Sequence, residues 1–527
     1  MLKRKGIHWR EFLKALRDEL VHLFVPVKDS AYIYVFLGVI SFLAIILRLY
    51  YIDNAIGYDE AYTFIRFSSK PFKFALADYH APNNHILNSL LIGVAYRILG
   101  NHLWIVRVPA FIASVLSVPM AFVAARRFFK AHQALAVAVV LAVSQTFILN
   151  AVNGRGYPLI IFFSLLLANL AGILVKVQSG SEVQSGSALI AYAITGALGF
   201  YTIPIFLYPM AGISLWVVVT YLTSPEPLKV RWRKVGVFLV ACVASGVMTL
   251  ILYSPVIIFG TGFKSLVAND IVKSQSWQGF AENFMVRSKN TWENWILYTS
   301  PLTNWILATG FLISLFFYRK VSNQRLPMQV FLVIGAGTMI LLQKVAALPR
   351  IWGYLEMFYL FFSAAGLAWA ASKVLALLWR KDDMREKTLN SLVLVIALLA
   401  FTNITIKTQN KEMRANRAHS SAFYVADYIA THISEDDTVV AVAPTDIQIA
   451  YYLLVEGIPY EVFYQRDHPK KMENAFVLVR TRGEYNINTL EKVLDFYELN
   501  DSLDVDAGNL VFDYGPLFVY SIPAADK

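Results

Sequence analysis

The sequence is short of the residues that soluble enzymes use most. Charged side chains make up 16% of its 527 residues, against roughly a quarter in soluble domains. Apolar residues reach 57%, which points to a polytopic membrane protein. There is one cysteine, Cys242, inside an apolar run, so an intramolecular disulfide and a cysteine metal cluster are both excluded. The net charge of +11 does not argue for nucleic acid, because the basic residues sit between apolar runs, where membrane topology accounts for them. Residues 1–30 are basic and amphipathic without an apolar core and cleavage site. They read as a cytoplasmic interfacial segment and not as a signal peptide.

Candidate spans are Ala31–Tyr50, Leu103–Ala125, Ala134–Leu149, Tyr157–Val175 and Ala188–Tyr221, followed by Val235–Gly260, Leu302–Tyr318, Met328–Leu342, Ile351–Ala371 and Leu389–Ile406. Ala188–Tyr221 is long enough for a tight pair turning near Pro204, which gives about eleven transmembrane helices. The basic clusters are Lys3-Arg4-Lys5, Arg126-Arg127, Lys176, Lys229 to Lys234, Arg319-Lys320 and Arg380 to Lys387. All share one side if the first span leads outward and Ile86–Leu99 does not cross. That segment keeps its apolar residues on one helical face, as an interfacial helix does. The N-terminus is then cytoplasmic and the C-terminus extracytoplasmic, in a multi-pass plasma (inner) membrane protein.

The richest stretch of the outer face follows the first span. Gly57-Tyr58-Asp59-Glu60 places two carboxylates close to a membrane exit, and Asp78 to His85 adds two imidazoles and two amides. A short interfacial helix is expected over Pro71–Tyr79. The loop Asn150 to Pro158 and the longer loop Thr261 to Trp295, with a helix around Glu282 to Ile296, face the same side. So do Lys344 and Arg350. Residues 31–406 form the membrane domain, and 407–527 have the composition of a small soluble α/β domain. In that tail Asp437–Ala443, Tyr460–Tyr464 and Ala475–Arg480 read as strands, Asp446–Glu456 and Thr489–Leu499 as helices, and Leu510–Ile522 as a hairpin. It has no glycine-rich phosphate loop or metal-ligand spacing, so it fits acceptor contact or scaffolding.

Taken in order, Tyr58-Asp59-Glu60, His80-Ala81-Pro82, Arg107-Val108-Pro109-Ala110, Ala125 to Phe129, Gly154-Arg155-Gly156-Tyr157, Gly199 to Thr202 and Pro349-Arg350 resemble the GT-C superfamily of glycosyltransferases. The resemblance is to its dolichyl-phosphate-mannose protein mannosyltransferase and aminoarabinose (lipid A) transferase group, and it covers about Ala31 to Arg350. It implies a GT-C-like membrane enzyme with interfacial helices in the first outer loop. It also implies a polyprenyl-phosphate-linked sugar as donor, an extracytoplasmic acceptor on protein, lipid or glycan, inverting transfer, and an acting carboxylate in the first outer loop. No cofactor is certain. A divalent metal is compatible with the family, but Asn150 to Pro158 lacks the acidic residue that many relatives carry there.

On this reading Asp59 takes the proton of the acceptor hydroxyl, with Glu60 orienting Asp59 or a substrate hydroxyl. Arg155 and Arg350 bind the donor phosphate bidentately, with Lys344, His80 and His85 as further phosphate or acceptor contacts. Arg66 and Arg107 are the remaining outward cations considered. Two other readings stand beside it. One is a transporter or flippase of lipid-linked sugars, which would line a path with mid-span charge, whereas these spans carry little. The other is a polysaccharide ligase using a polyprenyl diphosphate.

Overall fold

The computed structural model describes residues 9–25, 27–176, 182–267, 274–378, 382–408, 421–466, 472–481 and 486–525. The clusters Lys3-Arg4-Lys5 and Arg380-Lys381, and the residues just after Thr408 where the soluble composition begins, lie outside them. The first helices are α1 (Trp9–Phe24), α2 (Ala31–Leu49), the short α3 (Tyr58–Thr63) and α4 (Phe72–Ala77), α5 (Ile86–Leu99) and α6 (Val108–Arg126). Next come α7 (Ala131–Val143), α8 (Gln145–Ala151), α9 (Tyr157–Lys176), α10 (Glu182–Thr202), α11 (Leu207–Leu222) and α12 (Leu228–Ser254). The last helices before the tail are α13 (Trp277–Ile296), α14 (Pro301–Phe316), α15 (Met328–Gln343), α16 (Gly353–Leu378) and α17 (Asp382–Thr408).

Each expected span has its helix, and Ala188–Tyr221 does divide, with a 3₁₀ turn at Pro204–Phe206. Among the described residues six helical stretches are long and apolar enough to cross a membrane by themselves, and up to eight if each bent pair counts as one. The run Ala134–Leu149, read as one span, is one of those pairs: α7 and α8 meet at Ser144 with a bend of 58°. Arg48 gives the reason. Its buried guanidinium donates to the carbonyls of Leu141 and Ala142 at 3.3 and 3.0 Å and to Ser114 Oγ at 2.8 Å. It thus satisfies the oxygens freed where α7 ends and sits at the negative end of that helix. Arg127 does the same for α1, donating to the carbonyls of His22 and Leu23, each at 2.9 Å.

The tail holds α18 (Ser421–His432), β1 (Thr438–Val440), α19 (Thr445–Val455), β2 (Asn474–Arg480), α20 (Leu490–Tyr497), β3 (Asn509–Tyr514) and β4 (Leu517–Pro523). The sheet order is β1-β2-β4-β3, with β1 parallel to β2 and the rest antiparallel. The hairpin falls as expected. Tyr460–Tyr464 is not a strand: Tyr460–Val462 is a 3₁₀ turn after Pro459, with a single bridge from Phe463 to Val439. The turn brings the Tyr460 hydroxyl to Arg66 Nη2 at 3.0 Å.

This domain rests on the segment between α2 and α6. Tyr452 Oη accepts the Ile56 N–H at 3.1 Å, Gln448 Nε2 donates to Ile56 O at 2.9 Å, and Tyr451 Oη donates to Leu103 O at 2.7 Å. Phe64, Ile65, Ile92 and Val106 share one apolar cluster with Val425, Ile447, Tyr451 and Phe476.

Candidate active site

Helix α3 starts at Gly57 because Glu60, its third residue, turns back to accept the Gly57 N–H at 2.7 Å, one half of a capping box. Acidic residues also suit this end of a helix. Successive helical side chains diverge by about 100°, so Asp59 and Glu60 part company. Glu60 is 3% exposed. Its Oε1 lies 2.9 Å from Arg107 Nη2, and its Oε2 lies 3.3 Å from Arg107 Nε and 2.7 Å from the Gly154 N–H. Glu60 thus joins the segment after α2 to the loop between α8 and α9 and does not line the cleft beside it. Gly154 must be glycine here, since a Cβ would stand 2.8 Å from Val106 O.

Asp59 points the other way, into a cleft of about 360 Å³ whose lining includes Tyr58, Tyr62, Asn83, His85, Arg155, Tyr157 and Arg350. Its Oδ2 is 2.8 Å from Arg350 Nη1 and 4.0 Å from Arg155 Nη2. The two arginines, nearly two hundred residues apart in sequence, therefore meet over one carboxylate. Arg350 comes from a 3₁₀ turn, Pro349–Trp352, at the head of α16 and is half exposed. Arg155 is 3% exposed and is held from several sides. Its Nη1 donates to Thr63 Oγ1 at 3.2 Å, to Asn83 O at 3.1 Å, to Asp59 O at 3.3 Å and to Asn83 Oδ1. Its Nη2 faces His85 Nε2 at 3.2 Å.

His85 is buried, and burial together with Arg155 and Arg350 pushes its imidazole well below the usual histidine range. The ring is therefore neutral and offers one lone pair. Two donors face it, Arg155 at Nε2 and the Gly156 N–H at Nδ1, 2.9 Å away, so one of those contacts is not a hydrogen bond. Gly156 has no room for a side chain: a Cβ would come within 2.8 Å of Thr202 Cγ2 and 3.1 Å of His85 Nδ1.

His80 stands at the rim, its Nδ1 2.5 Å from Asp78 Oδ1 and its Nε2 2.8 Å from Tyr62 Oη. Lys344 is not brought to the cleft. It closes α15 in a left-handed conformation (φ 52°), and its ammonium lies 5.7 Å from the Trp277 ring centroid. Arg66 pairs with Tyr460, and Arg107 with Glu60. The sequence reading passed over Asn83 as an anchor of Arg155. The signal available was its place in a loop already holding His80 and His85.

No group of three His, Cys, Asp or Glu is arranged to hold a metal among the described residues. The neighbours of Asp59 are guanidiniums, and the second loop brings Arg155 where a ligand acid would be needed. This donor set does not fit a divalent cation.

Helix α5, 14 residues long, spans about 21 Å. At its head His85 meets Arg155, and just beyond its tail Asn101 Nδ2 donates to Leu454 O in the C-terminal domain at 2.7 Å.

No protein-family model matches the chain, and no curated protein matches its sequence. Solved structures do match. ArnT from Cupriavidus metallidurans, bound to undecaprenyl phosphate, superposes with a TM-score of 0.60 at 12% identity, over 94% of this chain and 98% of that one. The same protein in its apo state gives 0.58 at 13% identity, over 93% and 97%. ArnT is an aminoarabinose (lipid A) transferase of the GT-C group. The chain therefore has the GT-C fold, as a multi-pass membrane bundle with a small C-terminal α/β domain.

Proposed function

We propose that this GT-C-fold protein is an inverting glycosyltransferase that moves a sugar from a polyprenyl-phosphate donor to an extracytoplasmic acceptor hydroxyl. The observation that carries the reading is one cleft with a half-exposed carboxylate, Asp59, under two converging guanidiniums, Arg155 and Arg350. It occurs in a fold shared with a protein solved with undecaprenyl phosphate bound.

In the reaction the acceptor oxygen attacks the anomeric carbon. The bond from that carbon to the phosphate oxygen breaks, its electron pair leaves with the lipid phosphate, and the hydroxyl proton passes to Asp59. Arg350 has reason to move during the cycle. Paired with Asp59 it dampens the base, and the donor's phosphodiester anion, which gains a second charge as the sugar leaves, competes for the guanidinium and releases the carboxylate. Arg155 is immobile by contrast, with its donors set in place before the phosphate charge develops. A phosphate oxygen near His85 Nε2 and Arg155 Nη2 accepts from both, which resolves the surplus of donors around the imidazole. Glu60 acts as a positioning residue that fixes α3 against the second loop.

The test is to incubate purified protein with a panel of polyprenyl-phosphate sugars and follow release of the lipid phosphate. Release that needs both a sugar-bearing lipid and Asp59 supports the reading. No release from any member of the panel overturns it.

A further inference from the structure

The cleft has a second wall of opposite character. Tyr62 lies one turn after Asp59 on α3, on the same lining, and its hydroxyl is 2.8 Å from His80 Nε2. Asp78 Oδ1 takes both the Nδ1 proton of His80, at 2.5 Å, and its backbone N–H, at 3.1 Å. Asp78 is itself fixed as the residue that closes α4. Its N–H donates to Phe74 O at 3.2 Å, and its carbonyl accepts from Asn84 Nδ2 at 2.7 Å.

This chain of contacts orders the protons of the neutral ring. A carboxylate only accepts, so in that form the ring proton lies on Nδ1 and Nε2 keeps its lone pair. The Tyr62 proton is then committed to His80, and what Tyr62 offers the cleft is a lone pair. Such an oxygen repels phosphate and receives a hydroxyl donor. Arg155, Arg350 and His85, whose Nδ1 faces the Gly156 N–H, make up the other, donating wall.

We propose that Tyr62, held by the His80–Asp78 pair, is the contact that receives a hydroxyl hydrogen bond in this cleft, from the transferred sugar or from the acceptor. The inference rests on the transferase reading. It gives His80 a task other than phosphate binding: His80 and Asp78 are positioning residues acting through Tyr62.

The probes are undecaprenyl phosphate and the same lipid carrying glucose, compared by equilibrium binding to the full chain and to Tyr62→Phe. A sugar hydroxyl as the source predicts about tenfold weaker binding of the glucosylated lipid, the worth of one hydrogen bond of about 1.4 kcal/mol, with the sugar-free lipid within about twofold. An acceptor hydroxyl as the source leaves both affinities unchanged and lowers lipid phosphate release at saturating donor by about tenfold, through a raised KM for the acceptor. His80→Ala should behave as Tyr62→Phe. His80→Gln, which returns an acceptor near the Nε2 position, should recover most of the loss at an unchanged melting profile; a merely structural role would not separate the two. Equal weakening of both lipids, no change in either arm, or no difference between the Gln and Ala variants overturns the proposal. A wild-type protein that binds the glucosylated lipid but never releases lipid phosphate sinks the transferase reading; weaker binding of that lipid by Tyr62→Phe then still supports the proposal, and unchanged binding overturns it.

Discussion

Asp59 and Glu60 are chemically alike and adjacent, yet the fold gives them unlike surroundings, and their variants should fail differently. Asp59→Asn loses transfer by about 10²- to 10⁴-fold. Asn keeps the side chain's shape and leaves the half-exposed Arg350 to solvent, but buried Arg155 loses the carboxylate 4.0 Å away, so stability falls by about 1 kcal/mol, less than for Glu60→Gln. Glu60→Gln leaves Arg107 buried without its counter-charge and costs folding stability, on the order of 3 kcal/mol for a broken buried pair. Activity assays beside detergent melting curves separate the two. A well-folded Asp59→Asn protein with near-normal transfer would move the base elsewhere. The pair of carboxylates close to a membrane exit was legible in the sequence. The distinction between them was not, because it depends on Arg107 and Gly154, 47 and 94 positions away. Lys344 misled for the related reason that a lysine at a helix end has no fixed direction until its neighbour, here Trp277, is known.

His85 carries a pH prediction. Burial and the two guanidiniums depress its folded pKa below the usual histidine value of 6.5, so between the two values the unfolded chain binds the extra proton. By linkage, stability then rises with pH in that window. The protein should be at full stability above about pH 6.5 and lose it as pH falls further. His85→Gln should flatten the acid side of a plot of melting temperature against pH. An unaltered slope would mean that His85 is solvated and charged.

At the scale of elements, the second outer loop is held by close approaches that only glycine permits. Gly156→Ala should displace His85 and Arg155 together and reduce donor binding more strongly than Tyr157→Phe, which leaves the backbone untouched. Matched affinities for undecaprenyl phosphate in the two variants would show that loop geometry does not set the phosphate contacts. Hydropathy made α5 and α9–α12 readable. The break between α7 and α8 is marked only by Ser144-Gln145-Thr146 inside the apolar run Ala134–Leu149, and the bend is accommodated by Arg48 on another helix, which the local sequence does not show. Tyr460–Tyr464 has a strand's alternation but follows Pro459 and is drawn into a turn by the contact with Arg66. Local pattern loses to tertiary contact at both places.

For the whole molecule, the C-terminal domain and the first outer loop behave as one body around the cleft. Tyr451, Tyr452 and Gln448 of α19 hold the backbone on both sides of α3 and α5, and Phe64, Ile92 and Val106 are covered by the domain's own core. A chain ending after Thr408 would leave that apolar surface and the Ile56 backbone groups open to solvent. It should still insert, because α2 to α17 are retained. It should melt lower and lose transfer, because the loop carrying Asp59 loses its outer support. Tyr452→Phe with Gln448→Ala is the finer version: two hydrogen bonds to Ile56 are removed, at about 1 kcal/mol each, while the domain stays in place. Its transfer rate should fall between those of the truncated and full chains. The sidedness that this arrangement requires is read by a cysteine introduced at Ser502, which should react with a membrane-impermeant thiol reagent on intact cells in a Cys242→Ser background. Labelling only after lysis would put the domain, and the cleft beneath it, on the cytoplasmic face, out of reach of an extracytoplasmic acceptor. Full transfer by the truncated chain would instead make the domain a passenger, and the hold of α19 on the Asp59 loop a packing contact without consequence for the reaction.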